Sequence, residues 1–234
     1  MEHTKHSFLA GEAATQFAVQ MGFEESNLTT TTSAQEWKKW RSQNCQPNYR
    51  KNVSPDPRLY CGPYRPVGPL TVHLDSNNKH SLRTESRPLM SRNNHDTLGI
   101  IVLDSHGDIA VGTSTNGASH KVPGRIGDSP LPGAGAYVDN DIGAAVETGD
   151  GDVMLRFLPS FQTVEFMRNG NRPEEAAQKA INRIAQYYRY FQGAIVAANK
   201  QGEVGAACHG FGNFPYSVRR SSPDYVTVHY VKCS

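Results

Sequence analysis

The sequence predicts an α+β fold in which antiparallel strands form stacked sheets with helices outside them. Three observations lead there. Apolar runs of strand length recur after residue 97, at 98–103, 109–113, 133–138, 142–148, 194–198, 204–208 and 225–231. Most neighbouring runs are joined by short connections, which antiparallel pairing allows and parallel crossovers do not. Two consecutive helical patterns interrupt the strand series, which suits a helical layer laid over one face of a sheet.

The 234-residue chain is long enough for one sizeable core. A formal net charge of +2 gives no footprint for nucleic acid or an acidic membrane. The nine histidines are scattered without zinc-type spacing. No apolar run approaches the ~20 residues of a membrane helix. Met1-Glu2-His3-Thr4-Lys5-His6 lacks the apolar core of a signal peptide.

The first helical pattern covers 8–22, where Ala10, Ala13, Ala14, Phe17, Ala18 and Met21 recur at helical spacing before Gly22. Ser33 can cap a second helix from Ala34 to Arg41, with Trp37 and Trp40 on one side. These two helices are expected to cover the sheet face opposite the later pair. From Asn44 to Asn94 prolines and glycines exclude helix. This region reads as an ordered loop followed by a mobile linker from Ser76 to His95. Ser105-His106-Gly107 is a hairpin signal between 98–103 and 109–113. Residues 118–132 form a Gly/Pro/Asp-rich loop, and Asp139-Asn140-Asp141 joins the next strand pair. Asp152 caps a helix to about Met167, interrupted or bent at Pro159. Another helix follows Asn171, with Pro173, Glu174 and Glu175 in its first turn, and runs to Tyr190. Glycine and alanine crowd the strands, as in Gly133-Ala134-Gly135-Ala136 and Gly143-Ala144-Ala145, so a second layer can approach closely.

Cys45 and Cys61 flank a Pro/Asn-rich loop, and Cys208 and Cys233 flank apolar stretches near the C-terminus. Sequence-local pairs of this kind fit two short-loop disulfides, each worth roughly 2–4 kcal/mol, and point to an oxidising compartment. Asn27-Leu28-Thr29 and Asn52-Val53-Ser54 are N-glycan acceptors on a secretory route.

The chemistry centres on His95-Asp96-Thr97-Leu98-Gly99, where a polar linker meets a buried apolar run. A threonine at that junction suits a nucleophile that becomes a new N-terminus. Hairpin-joined strands bring Thr113-Ser114-Thr115-Asn116-Gly117 and Thr148-Gly149-Asp150-Gly151 to the same sheet edge. Arg125 and Asp128 lie three residues apart in a tight turn. An arginine fork grips a carboxylate and an aspartate accepts from an ammonium, so together they can hold the α-groups of an amino acid. The alternative for that pair is an ordinary surface ion pair. Thr148 and Gly149 can present a hydroxyl and a backbone N–H to an oxyanion.

These segments make the chain resemble the glycosylasparaginase (aspartylglucosaminidase) family, from about residue 3 onward. The resemblance rests on His95-Asp96-Thr97, Gly112-Thr113-Ser114-Thr115-Asn116-Gly117, Gly124-Arg125-Ile126-Gly127-Asp128-Ser129-Pro130 and Thr148-Gly149-Asp150-Gly151-Asp152. Asn44-Cys45-Gln46-Pro47-Asn48-Tyr49, Pro55-Asp56-Pro57 and Tyr60-Cys61-Gly62-Pro63-Tyr64 add to it. The resemblance implies a four-layer αββα sandwich of the N-terminal-nucleophile hydrolases, incomplete at the N-terminus. Residues 1–96 would be the second half of an α-chain with its linker and 97–234 a β-chain, together one domain.

The implied precursor cleaves itself between Asp96 and Thr97. Thr97 then attacks the side-chain amide of a glycosylated asparagine, supported by Thr115. Thr148 and Gly149 would hold the oxyanion. Arg125, Ile126, Gly127 and Asp128, with Thr148, Gly149, Asp150 and Gly151, would bind substrate. Arg125 would take its α-carboxylate and Asp128 its α-amino group. No metal or organic cofactor is implied. The implied assembly is a dimer of cleaved α/β pairs, lysosomal or secreted. A disulfide of the family is absent, its positions being Ala177 and Ala197, and the chain starts inside the family's α-chain. Two other readings stay open: a threonine asparaginase or isoaspartyl peptidase, and a truncated, inactive asparaginase-like protein.

Overall fold

The described residues of the computed structural model are 2–68, 96–222 and 224–234. They fall into two units, Met1–Gln46 with Pro55–Tyr64, and Pro47–Ser54 with Arg65–Ser234. The expected linker, from Ser76 to His95, lies outside the described residues.

The first unit carries α1 (Glu12–Gln20) and α2 (Thr31–Ser42). α1 is shorter than its apolar pattern: Gly11, at φ +79°, precedes it, and Gly22, at φ +93°, follows it. α2 starts earlier than expected, and its cap is Thr30 rather than Ser33. Thr30 Oγ1 accepts from the Ser33 N–H at 3.1 Å and Ser33 Oγ accepts from the Thr30 N–H at 3.0 Å, a reciprocal box that satisfies two N-terminal donors. Neither helix buries a residue, and both belong to the first unit while the large sheets belong to the second. Trp37 lies exposed under the Arg41 guanidinium, 5.3 Å from its ring centre. The Cys45–Cys61 disulfide closes the loop after α2, as expected. Inside that loop the Arg58 guanidinium hydrogen-bonds Asp56 and holds its carboxyl down at about 2.

The second unit opens with a ladder the prolines hid, β1 (Val53–Ser54) against β2 (Arg65–Pro66). β3 (Leu98–Leu103) and β4 (Ile109–Ser114) form the expected antiparallel hairpin. Asp104 Oδ1 accepts from the N–H groups of His106 and Asp108 at 2.8 and 2.9 Å and fixes the turn. β3 is not the buried strand its composition suggests. Leu98, Ile100 and Val102 are exposed, because alternation puts Gly99 on the face that packs on β6 and these three on the opposite face.

β5 (Ala136–Asp139), β6 (Gly143–Gly149), β7 (Gly193–Asn199) and β8 (Val204–His209) form one antiparallel sheet in chain order. Residues 133–135 do not extend β5. A Cβ on Gly135 would stand 2.4 Å from Ser129 Cα, so this stretch turns tightly against the loop before it. The helix expected over 152–167 is two, α3 (Gly151–Met154) and α4 (Pro159–Arg168), separated at Leu158, whose φ is +50°. Asp152 is therefore not a cap; Asp150 stands at that position. α5 (Pro173–Ala185) ends well before Tyr190.

α4 and α5 bury one face of the sheet. Ala145, Ile195 and Ala197 pack with Val164, Met167, Ala176, Ala177, Ala180, Ile181 and Ile184. Gly205 lets the Glu174 backbone come within 2.2 Å of where its Cβ would be. The β3–β4 hairpin covers the other face, and a Cβ on Gly99 would meet Val146 Cβ at 2.8 Å. β9 (Asn213–Arg219) pairs with β10 (Val226–Lys232); β9 was not expected because Pro215 interrupts its pattern. The Cys208–Cys233 disulfide fastens the end of this hairpin to β8, again as expected.

Candidate active site

The end of β6, the start of β3 and the loop after β4 converge on a recess of about 140 Å³. Thr97, Thr115, Arg125, Ile126, Gly127, Asp128 and Gly149 line it, together with Asn116, Gly117, Lys121, Pro130. Seven of the residues singled out in the sequence thus meet in one place. Thr97 Oγ1 lies 3.0 Å from Thr115 Oγ1. The Gly117 N–H donates to Thr115 Oγ1 at 2.8 Å, which leaves that hydroxyl's own proton free to point at Thr97. Asp96 Oδ1 accepts from the Asn116 N–H at 3.0 Å and anchors the residue before Thr97 to the same loop. Thr113 Oγ1 donates to the Ser129 carbonyl at 2.9 Å and ties the Arg125–Asp128 loop to β4.

Thr148 lines a larger cleft of about 810 Å³ that also opens onto Thr97. Its Oγ1 is buried without a partner among the described residues, and this hydroxyl donor stands beside the two clefts. Gly149 ends β6 at φ +148°, where a Cβ would lie 2.3 Å from the Gln192 carbonyl oxygen. Only glycine fits there.

Arg125 and Asp128 are not a surface ion pair. Arg125 is paired instead with Asp152: Nε reaches both carboxylate oxygens at 3.3 Å and Nη2 reaches Oδ2 at 3.1 Å. The Arg125 side chain is only 14% exposed. Asp152 is a site residue the sequence did not expose, because its place near a helix start read as a cap. Asp128 is buried. Ser129 donates to its Oδ1 through N–H at 2.9 Å and Oγ–H at 3.4 Å, while Oδ2 has no partner among the described residues. Burial raises the Asp128 carboxyl above its usual range; these donors and the nearby Arg125 charge hold it back.

Gly151 does not line the recess. It makes room for Asp128, whose Oδ1 would stand 2.6 Å from a Cβ on that residue. Asp150 is raised by burial and then by the Asp152 charge. Its N–H donates to the Gln192 carbonyl at 2.8 Å. Tyr49 comes to the same place from the other end of the chain. Burial raises its phenol, and Arg125, Asp152 and Asp150 all act on it. Glu147, beside Thr148 on β6, is buried with both carboxylate oxygens unpartnered among the described residues. One charge inside Ala144-Ala145-Val146-Glu147 was the available signal. Among the described residues, no group of three or more His, Cys, Asp or Glu is placed to hold a metal.

Comparison with known proteins agrees with this arrangement. The asparaginase family model matches residues 1–227. A relative from Drosophila grimshawi, provisionally named N(4)-(beta-N-acetylglucosaminyl)-L-asparaginase, is 53% identical over all of this chain, which spans 58% of that relative. The rat and mouse proteins of that name are each 48% identical over the whole chain and 66% covered by it. The chain therefore spans roughly three fifths of the relatives' length. With a recess that gathers the two threonines, the arginine and the buried acid, and a match along nearly its whole length, the chain belongs to the asparaginase family.

Proposed function

We propose that the protein is an amidohydrolase that cleaves the N4-(β-N-acetylglucosaminyl)-L-asparagine linkage with an autoproteolytically released N-terminal threonine. The observation that carries this reading is Thr97 Oγ1 at 3.0 Å from Thr115 Oγ1, in a recess that also holds Arg125, Asp128 and Gly149. The names of the rodent relatives favour this substrate class.

The precursor step moves the Asp96 acyl group from the Thr97 nitrogen to Thr97 Oγ, and water then hydrolyses that ester. The released α-amino group, with an unperturbed pKa of roughly 7.7–8.0, takes the proton of its own hydroxyl. Thr97 Oγ adds to the side-chain carbonyl of the glycosylated asparagine. Thr148 Oγ–H and the Gly149 N–H stabilise the oxyanion. The C–N bond breaks, the α-ammonium protonates the departing glycosylamine, and water releases aspartate from the acyl-enzyme. Arg125 binds the α-carboxylate and Asp128 the α-ammonium. Residues 1–96 and 97–234 are the two cleaved chains of one αββα domain, which works as a dimer of such pairs in the lysosome.

Intact mass after expression tests the reading. The expected result is a fragment beginning at Thr97, absent in T97A, and faster turnover of glycosylasparagine than of β-aspartyl peptides. A folded, uncleaved chain with no turnover overturns it. Faster turnover of β-aspartyl peptides assigns the site to a threonine asparaginase or isoaspartyl peptidase instead.

A further inference from the structure

The proposed mechanism makes no use of Glu147, yet this is the most deeply buried acid near the site. It is 3% exposed, and among the described residues neither of its carboxylate oxygens has a hydrogen-bond partner. Ala145 and Glu147 point to the helix-covered face of β6, whereas Val146 packs on Gly99 on the other. There Glu147 comes within hydrogen-bonding reach of Asp128, whose Oδ2 is the third orphaned oxygen of the group. Two carboxylates have no donor to offer each other. One proton between them supplies it.

The groups around Glu147 decide which acid carries that proton. β3, β4 and β7 carry no ionisable side chain. On β5 and α4, Asp139 and Glu165 are tied to Arg168. Arg125, the nearest cation to Asp128, is engaged by Asp152, and Asp150 is itself raised by burial. Asp128 has two donors from Ser129 and the field of Arg125; Glu147 has none of these. The negative charge belongs on Asp128 and the proton on Glu147. Burial, with the Asp128 charge behind it, holds the Glu147 carboxyl well above the usual glutamate range, in the same sense.

We propose that Glu147 is a positioning residue of the amino-acid site: as a neutral acid it donates to Asp128 Oδ2 and holds that carboxylate, ionised and oriented, for the substrate's α-ammonium. This rests on the assignment of Asp128 above. It makes the pair a single unit of charge −1 that trades a proton when an ammonium arrives, because a bound cation eases loss of the shared proton.

The test compares wild type, E147Q and E147L in the whole protein. Infrared difference spectra at neutral pH are expected to show a protonated carboxylic acid that disappears in E147Q. An unchanged spectrum overturns the proposal, whether or not the protein binds ligand. L-Aspartate binding by calorimetry, in buffers of different ionisation enthalpy, is expected to release protons in wild type and fewer in E147Q. E147Q keeps a donor and should bind within about threefold of wild type, while E147L should lose about tenfold, with the turnover defect in KM rather than kcat. Equal aspartate affinity for E147Q and E147L overturns the proposal. Wild type that shows the infrared band but binds no aspartate refutes the amino-acid site, and with it the role given to Glu147, while leaving the shared proton in place. Should both variants fail to fold, the wild-type spectrum alone decides: absence of the acid band overturns the proposal.

Discussion

Asp152 sets the direction of Arg125. Three guanidinium contacts between 3.1 and 3.3 Å hold the fork on one side, so that it meets an incoming carboxylate already oriented. D152N keeps the shape and removes the charge. We expect KM to rise about tenfold, roughly 1.4 kcal/mol, with kcat little changed, as initial rates against substrate concentration will show. At this scale the sequence was informative wherever a residue type announces its chemistry. Thr97, Thr115, Arg125 and Asp128 stood out because hydroxyls, an arginine and an acid sat at predicted turns and strand ends, and the structure brings them to one recess. Pairings were invisible. Nothing in the spacing of Arg125 and Asp152, or of Asp128 and Glu147, says that they touch; those contacts depend on how β6 and the loop after β4 fold over each other.

Among the elements, the loop after β4 supplies most of the recess, but the last residue of β6 tolerates least change. A Cβ at Gly149 would press into the Gln192 carbonyl at 2.3 Å from a backbone that L-residues avoid. G149A should lose at least about 2 kcal/mol of stability, measured by urea unfolding, and should cut turnover further by moving the N–H assigned to the oxyanion. The strand series after residue 97 was legible because apolar runs and turn residues alternate there. β9 was not, since Pro215 breaks its pattern and only the ladder with β10 makes it a strand. The helical run over 152–167 is interrupted rather than bent near Pro159, because Leu158 in a left-handed conformation divides it just before that proline. α2 was legible as a helix but begins at Thr31 rather than Ala34: Ser33 is by residue type the better cap, yet it sits inside the first turn and closes the box with Thr30.

For the molecule as a whole, the buried acids tie stability to pH. Glu147 has a folded value raised above its unfolded one. Its contribution is therefore fully present below the ordinary glutamate range and is lost as pH rises through the raised value; Asp128, also raised, acts with the same sign. Each fully coupled proton changes stability by about 1.4 kcal/mol per pH unit inside that window. Urea midpoints should fall from pH 5 to pH 8 in wild type, and E147Q should flatten the decline. A midpoint that rises over this range contradicts the assignment.

The two disulfides have a further consequence. Cys45–Cys61 lies wholly before residue 97 and Cys208–Cys233 wholly after it, and these use all four cysteines. Scission at Asp96–Thr97 would leave the two pieces joined by non-covalent contacts alone. Detergent denaturation without reductant should then resolve them as separate bands, and dilution into denaturant should make their reunion a second-order process, slower the more dilute the sample.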